Sequence, residues 1–316
     1  MKEKVVVIVG PTAVGKTKLG IELAKSLNGE IISGDSMQIY KELDIGTAKI
    51  SVDEMEGVPH HLIDFKEPQD SFSVAEFQSL VKPLITEINE KGKLPLIVGG
   101  TGLYINSVIY DYNFAEAPSD QSYRQCLESF VDEHGVIELH EKLKMIDPIS
   151  YETIHPNNYR RVIRALEVFH VTKKTIHDFQ SVQPKESLYD VVIIGLAMER
   201  TALYERINLR VDLMIEAGLI EEVRTLYDQG IRDCQSVQAI GYKEIYDYLE
   251  ARLTKEEAIE LLKRNSRRYA KRQLTWFRNK LDINWFELNE LNFSEKMQEI
   301  QKLIEESFNK RRNSKT

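Results

Sequence analysis

Residues Gly10-Pro11-Thr12-Ala13-Val14-Gly15-Lys16-Thr17 spell G-x-x-x-x-G-K-T directly after an unbroken apolar run at 5–9. The β-branched run reads as a buried parallel strand, and residues 16–27 have helical character. A strand, a glycine loop and a helix in that order make backbone N–H groups converge on phosphate oxygens, with the helix dipole adding to their pull. All eight residues, Gly10, Pro11, Thr12, Ala13, Val14, Gly15, Lys16 and Thr17, are therefore candidate ligands of a di- or triphosphate. Lys16 is the cation for the outer phosphate, and the Thr17 hydroxyl is the candidate ligand for Mg²⁺. A glycine turn beside a solvated lysine would need neither the strand nor the helix, and both are present. The loop specifies phosphates, not a nucleotide.

The same alternation continues. Residues 30–33 read as a second short strand ending at Gly34-Asp35, and Ser73 with Glu76 reads as a capping box for a helix to about Lys91. Residues 95–98 form a third buried strand before Gly99-Gly100. Strand–helix–strand spacing of this kind implies an α/β fold, a parallel sheet with helices on both faces. The pattern changes after about Phe114. From 118 to 184 the chain is polar and helical, and a buried strand then returns at 190–197. The expected organisation is a phosphate-loop core over 1–115 and 190–316, interrupted by a helical insertion at 116–189. Beyond Arg200 everything reads as helix, including one capped by Thr254 and Glu257, and 309–316 reads as a frayed polar tail.

Composition narrows the class. The longest apolar runs, 5–9 and 191–196, are far too short to cross a bilayer, and the start does not have the pattern of a signal peptide. Two isolated cysteines, Cys126 and Cys234, suit a reducing cytoplasm and exclude a cysteine-rich zinc site. The net charge of −8 argues against a nucleic-acid partner until its distribution is read. Residues 261–280 carry +8 and no acid, leaving −16 on the rest. A local basic surface on an acidic body can bind a polyanion.

Ligands in open α/β sheets bind at the carboxyl ends of strands. The loop, Asp35 and Gly99-Gly100-Thr101 should therefore share one crevice. Asp35 there could take a proton from a nucleophile or hold a metal through water, or it could simply form an Asx turn. Thr101 offers a hydroxyl, or a helix cap. A conventional ATPase needs an acid at a strand end, and the third strand ends in Gly99-Gly100-Thr101-Gly102-Leu103-Tyr104 without one. The string Asn279-Lys280-Leu281-Asp282 fits a GTPase motif, but it follows a basic helix and reads as a chance match. In the adjacent pair His60-His61, one ring is expected to pack in the core.

The phosphate loop, Asp35-Ser36-Met37-Gln38-Ile39-Tyr40, Asp44-Ile45-Gly46-Thr47-Ala48-Lys49, Pro59-His60-His61-Leu62-Ile63-Asp64 and the glycine-rich end at 99–104 together resemble the tRNA dimethylallyltransferases. His155-Pro156-Asn157, the arginine-rich 160–167, residues 206–214 and Gly241-Tyr242 extend the resemblance over most of the chain. It is similar to the bacterial form, which lacks a C-terminal zinc finger. The resemblance implies transfer of a dimethylallyl group from dimethylallyl diphosphate to N6 of adenosine 37 in tRNA. It implies Mg²⁺ as cofactor and a cytoplasmic, monomeric enzyme. Asp35 would accept the amine proton, and Thr101 and Arg210 would join the loop in holding diphosphate, with Arg206 assisting. An adenylate dimethylallyltransferase or a small-molecule kinase of the same loop class are the alternatives; neither needs a basic helix.

On a helical wheel Arg264, Arg267, Arg268, Lys271 and Arg272 fall on one side, and Leu262, Tyr269, Gln273 and Phe277 on the other. The absence of interleaved acids separates that stripe from an ordinary solvated face. Arg160, Arg161 and Arg164, with Arg124, repeat the pattern in the insertion. The expected tRNA contacts are Arg264, Arg268, Arg272, these four arginines, and, around an unstacked adenine, Asp35, Ser36, Met37, Gln38 and Thr101.

Overall fold

A computed structural model describes residues 2–112, 120–181, 186–289 and 291–313. The chain divides into two compact units, Met1–Ile109 with Ser187–Thr316, and Tyr110–Glu186. The limits expected at 115/116 and near Phe114 and 184 lie outside the described residues or beside them.

In the first unit β1 (Lys4–Val9) enters α1 (Lys16–Ser26) through the glycine loop, and β2 (Gly29–Ser33) follows. A two-residue strand, β3 (His60–His61), precedes α2 (Val74–Glu90), β4 (Leu94–Gly99) and α3 (Gly102–Ile109). The second unit consists, among its described residues, of α4 (Gln121–Ile146), α5 (Pro148–Thr153), α6 (Tyr159–Thr172) and α7 (Ile176–Ser181). The first unit resumes with β5 (Asp190–Ala197), α8 (Arg200–Glu216), α9 (Leu219–Asp228), α10 (Tyr242–Leu249), α11 (Lys255–Lys280), β6 (Asn284–Glu287) and α12 (Phe293–Asn313).

The six strands form one parallel sheet in the order β3-β2-β4-β1-β5-β6. Val5, Val6, Val7, Ile8 and Val9 of the central strand are all fully buried. Each such side chain contributes about 1.5–3 kcal/mol, which makes β1 the anchor of the loop that follows it. Ser73 caps α2 by accepting from the Glu76 amide, but the Glu76 carboxylate pairs with Lys66 at 2.6 Å instead of returning to the cap. Thr254 and Glu257 form both halves of their box at the start of α11.

Three expectations are corrected. Residues beyond Arg200 are not all helical, because β6 adds an edge strand beside β5. The polar tail does not fray at 309, since α12 continues to Asn313; residues 314–316 lie outside the described residues. Neither histidine of β3 is core-packed. Both are half-buried; His60 Nδ1 bonds the Val58 carbonyl and His61 Nε2 bonds Glu30, each at 2.8 Å.

The insertion unit has its own core of Leu127, Leu139, Leu143, Val162, Ile163, Ala165 and Leu166. α4 breaks at Gly135, whose φ of 85° lies in the left-handed region.

Candidate active site

The crevice is built by glycines that let backbones touch. At the end of β1, Gly10 has φ 153°, and a Cβ there would stand 2.7 Å from the Leu196 carbonyl oxygen. Gly15, at φ 103°, starts α1 with no side-chain cap, so the first-turn N–H groups are left for an anion. Lys16 Nζ donates to the carbonyls of Gly10 (3.0 Å) and Pro11 (2.8 Å). Burial pushes the Lys16 ammonium down to about 8; the charge of Asp35 opposes that shift and Arg210 adds to it.

The ends of β2 and β4 cross. Gly34 N–H donates to the Val98 carbonyl at 2.8 Å, and Thr101 N–H to the Gly34 carbonyl at 3.3 Å. A Cβ on Gly99 would lie 2.3 Å from the Gly34 carbonyl carbon, so only glycine fits. This crossing sets Thr101 Oγ1 3.4 Å from Ser36 Oγ. Asp35 Oδ1 accepts from the Met37 amide at 2.8 Å and more weakly from the Gln38 amide at 3.4 Å. The Asx turn is therefore real. It fixes the carboxylate and leaves Oδ2 without a hydrogen bond among the described residues. Gln38 Nε2 donates to the carbonyls of Thr47 (3.2 Å) and Ala48 (3.1 Å), which leaves Oε1 as its open acceptor.

α11 closes the crevice with its buried face. Gln273 accepts from the Thr12 amide at 2.9 Å and donates to the Gly100 carbonyl at 3.1 Å, bridging the loop and the end of β4. Sequence reasoning placed Gln273 on the packed face and gave it no role. The available signal was an amide among apolar positions, since a buried amide requires partners. Tyr269 stands beside Asp35; burial, then the Asp35 charge, pushes its phenol up to about 12. Arg210 of α8 lies lower than usual for a guanidinium through burial and the neighbouring Arg206. A second missed residue is Glu222. Its carboxylate accepts from the successive amides of Asp44 (3.0 Å), Ile45 (2.7 Å) and Gly46 (3.1 Å) and from the Tyr242 hydroxyl (2.6 Å), pinning the loop that carries Thr47 and Ala48.

Two cavities meet here. One, of about 840 Å³, contains Lys16, Thr17 and Arg206. The other, of about 380 Å³, contains Met37, Leu262, Ser266 and Arg272. Thr12, Asp35, Arg210 and Tyr269 line both. Among the described residues no three acids, histidines or cysteines form a metal cluster. Thr17 lines the larger cavity beside Lys16, a single hydroxyl of the kind that can join phosphate oxygens around Mg²⁺.

The cations expected at the surface have different fates. On α11, Arg264, Arg268, Lys271 and Arg272 are exposed and pair with no carboxylate among the described residues, whereas Arg267 is half-buried and donates to Asn208. In the insertion unit, Arg160 and Arg161 are exposed, but Arg124 and Arg164 both close on the fully buried Glu167. Arg124 Nη2 reaches both carboxylate oxygens at 2.9 Å, and Arg164 Nη1 reaches one at 2.7 Å.

Residues 38–280 match the model of the IPP transferase family. The chain belongs to that family. It is 61% identical to the tRNA dimethylallyltransferase of Halalkalibacterium halodurans, over 96% of this chain and 97% of the relative. It is 62% identical to the enzyme of that name from Geobacillus kaustophilus, over 96% and 97%. Among solved structures it resembles the tRNA isopentenylpyrophosphate transferase of Bacillus halodurans, with 59% identity, a TM-score of 0.77 and 99% of each chain covered. A eukaryotic dimethylallyltransferase acting on tRNA matches at 32% identity and a TM-score of 0.78, over 92% of this chain and 75% of that one. Among the described residues no helix is long and apolar enough to cross a membrane.

Proposed function

We propose that this IPP transferase moves the dimethylallyl group of dimethylallyl diphosphate onto N6 of adenosine 37 in tRNA. The observation that carries the reading is the meeting of a phosphate-loop chamber with a second chamber at Asp35 and Arg210. The diphosphate binds the loop amides, Lys16 and Arg210, with Thr101 at its edge. The adenosine enters from the Met37 side, where Ser36 and Met37 line the cavity and Gln38 holds the Thr47–Ala48 turn beside them. The amine nitrogen bonds to C1 of the donor, the C1–O bond breaks with its electrons going to diphosphate, and a proton passes to Asp35 Oδ2. Lys16 and Arg210 stabilise the charge that develops on the leaving group, a contribution of about 3–4 kcal/mol per key donor. Thr17 would hold Mg²⁺, which when bound neutralises diphosphate charge.

The exposed cations of α11 favour a polyanionic acceptor over free AMP. Arg264, Arg268 and Arg272 contact tRNA phosphates in this reading; Arg160 and Arg161 do so from the insertion unit, and Arg124 and Arg164 only where they reach past Glu167. The test is incubation of the purified protein with tRNA, labelled dimethylallyl diphosphate and Mg²⁺. Label is expected in tRNA. Label in AMP alone would point to an adenylate acceptor, and ATP turnover without donor to a kinase.

A further inference from the structure

Trp276 belongs to no part of the reaction described so far. It follows Arg264, Arg268 and Arg272 at the next fourth position of α11, and Lys280 comes four residues later. Residues four apart lie about 6 Å apart along one side of a helix. Each such step also turns the face by about 40°, so the row winds around α11 and brings Trp276 beside the cations of its C-terminal half. Trp276, Arg268, Lys271, Arg272 and Lys280 line a groove of about 550 Å³ that contains no carboxylate. None of these four cations is in an ion pair with an acid among the described residues.

The indole is half-buried, and one side of it is accounted for by Gly102. A Cβ on Gly102 would lie 2.2 Å from Trp276 Cε3, so the ring rests directly on the first residue of α3, next to Thr101. Its neighbour Phe277 is fully buried and supplies the packing of this turn. The groove side of the indole has no such explanation. A wide aromatic surface among unpaired cations is the arrangement that holds an unpaired nucleotide, with the base on the ring and the phosphates on the cations.

We propose that Trp276 is the stacking platform for an unpaired tRNA nucleotide next to the one that enters the crevice. This deepens the tRNA reading and rests on it. Stacking a base on one aromatic ring is worth about 1–3 kcal/mol, which is about 5- to 150-fold in affinity. The platform lies against Gly102, one residue from Thr101, so it would hold the strand in place while the adjacent base is turned out.

The experiment uses the full chain, which has two tryptophans, Trp276 and Trp285. Trp276→Ala is expected to weaken tRNA binding about 5- to 150-fold with the salt slope of the parent, because no cation is lost. Trp276→Phe should stay within a few-fold of the parent, and both variants should bind dimethylallyl diphosphate as the parent does. In Trp285→Phe the remaining emission comes from Trp276; tRNA should quench it at saturation, and heparin, which has charge but no bases, should not. The proposal is overturned if Trp276→Ala binds tRNA like the parent, if Trp276 emission ignores tRNA, or if heparin quenches it equally. Failure of the parent itself to bind tRNA would remove the functional reading and this inference together. An unaffected Trp276→Ala in a tRNA-binding parent removes only the inference.

Discussion

The crevice and the outer face of α11 treat polar groups in opposite ways. Inside the crevice the groups that set its shape are matched within the chain: Lys16 to two carbonyls, Asp35 Oδ1 to its own turn, Gln273 to the loop and to β4, while Asp35 Oδ2 and Gln38 Oε1 stay open toward the cavity. On the outer face the arginines have no acid partner among the described residues. The insertion unit stands between these extremes, with Arg124 and Arg164 matched and Arg160 and Arg161 not. Matched groups hold geometry, as chemistry needs, and unmatched cations hold an external polyanion whose shape can vary. One helix, α11, serves both ends, because its Gln273 face looks inward, Arg264 and Arg268 are exposed on the other side, and Arg272 is exposed at the edge of the smaller cavity.

Substitutions that separate rate from affinity can break this contrast. The largest effect is expected for Asp35→Ala, which should lower kcat by about 10²–10⁴ while tRNA affinity changes little. Single-turnover rates beside a binding curve decide it, and near-normal turnover would reduce Asp35 to its Asx turn. Gln273→Leu comes next. It strands the Thr12 amide and the Gly100 carbonyl in a buried place, at about 1–3 kcal/mol each. Both stability and kcat should drop, read by denaturant midpoint and turnover, with the salt slope of tRNA binding unchanged. If only affinity fell, the division between the faces of α11 would be wrong.

Replacing Arg264, Arg268 and Arg272 with Gln should do the reverse. Each cation on a phosphate contributes about 0.7–0.9 to the salt slope of log K, so the triple variant should flatten it by about two to three. Its rate at saturating tRNA should fall far less than that of Asp35→Ala, because of the three only Arg272 lines the smaller cavity. An unchanged slope would move the grip on tRNA away from this helix.

The smallest effect on function belongs to Glu167→Gln. Burial pushes the Glu167 carboxyl up, but hydrogen bonds and charge from Arg164 and Arg124 outweigh it and hold the group below the ordinary range. A lowered folded pKa gives stability that is full above the unfolded value, near 4, and is lost as the pH falls through the folded value. Glu167→Gln should cost about 2–4 kcal/mol at neutral pH, less than a wholly buried pair because both guanidinium groups reach solvent. The cost should shrink in acid. Thermal melts at pH 7 and pH 3 test the sign; a cost that grows in acid would contradict it.

Features written in neighbouring residues were legible in the sequence. The run into Gly10–Thr17, the strand at 190–197 and the Thr254–Glu257 cap each carry their own signal, and each stands where it was read. Features set by distant partners were not. β3 is two residues long and exists only because β2 offers an edge. β6 has four residues, Asn-Trp-Phe-Glu, too few for a period, and takes its direction from β5. Arg267 and Arg164 look alike in the sequence as members of basic runs. Asn208 claims one and Glu167 the other, and the wheel contains neither partner of Arg267 nor the depth of Glu167. Gln273 was visible as a polar residue on an apolar face, but its partners lie 261 and 173 positions away.

The position of β6 has a consequence for synthesis. β5 emerges from the ribosome with β1 ready on one side and nothing on the other until residues 284–287 arrive. At ~5–20 residues per second that gap lasts on the order of ten seconds. During it the nascent chain carries an open strand edge of Ile194, Gly195, Leu196 and Ala197, the kind that neighbouring chains can capture. The helix that closes the crevice is made within this interval. A nascent chain can thus hold a complete phosphate loop well before it can hold a substrate, and its most exposed moment comes just before it becomes competent.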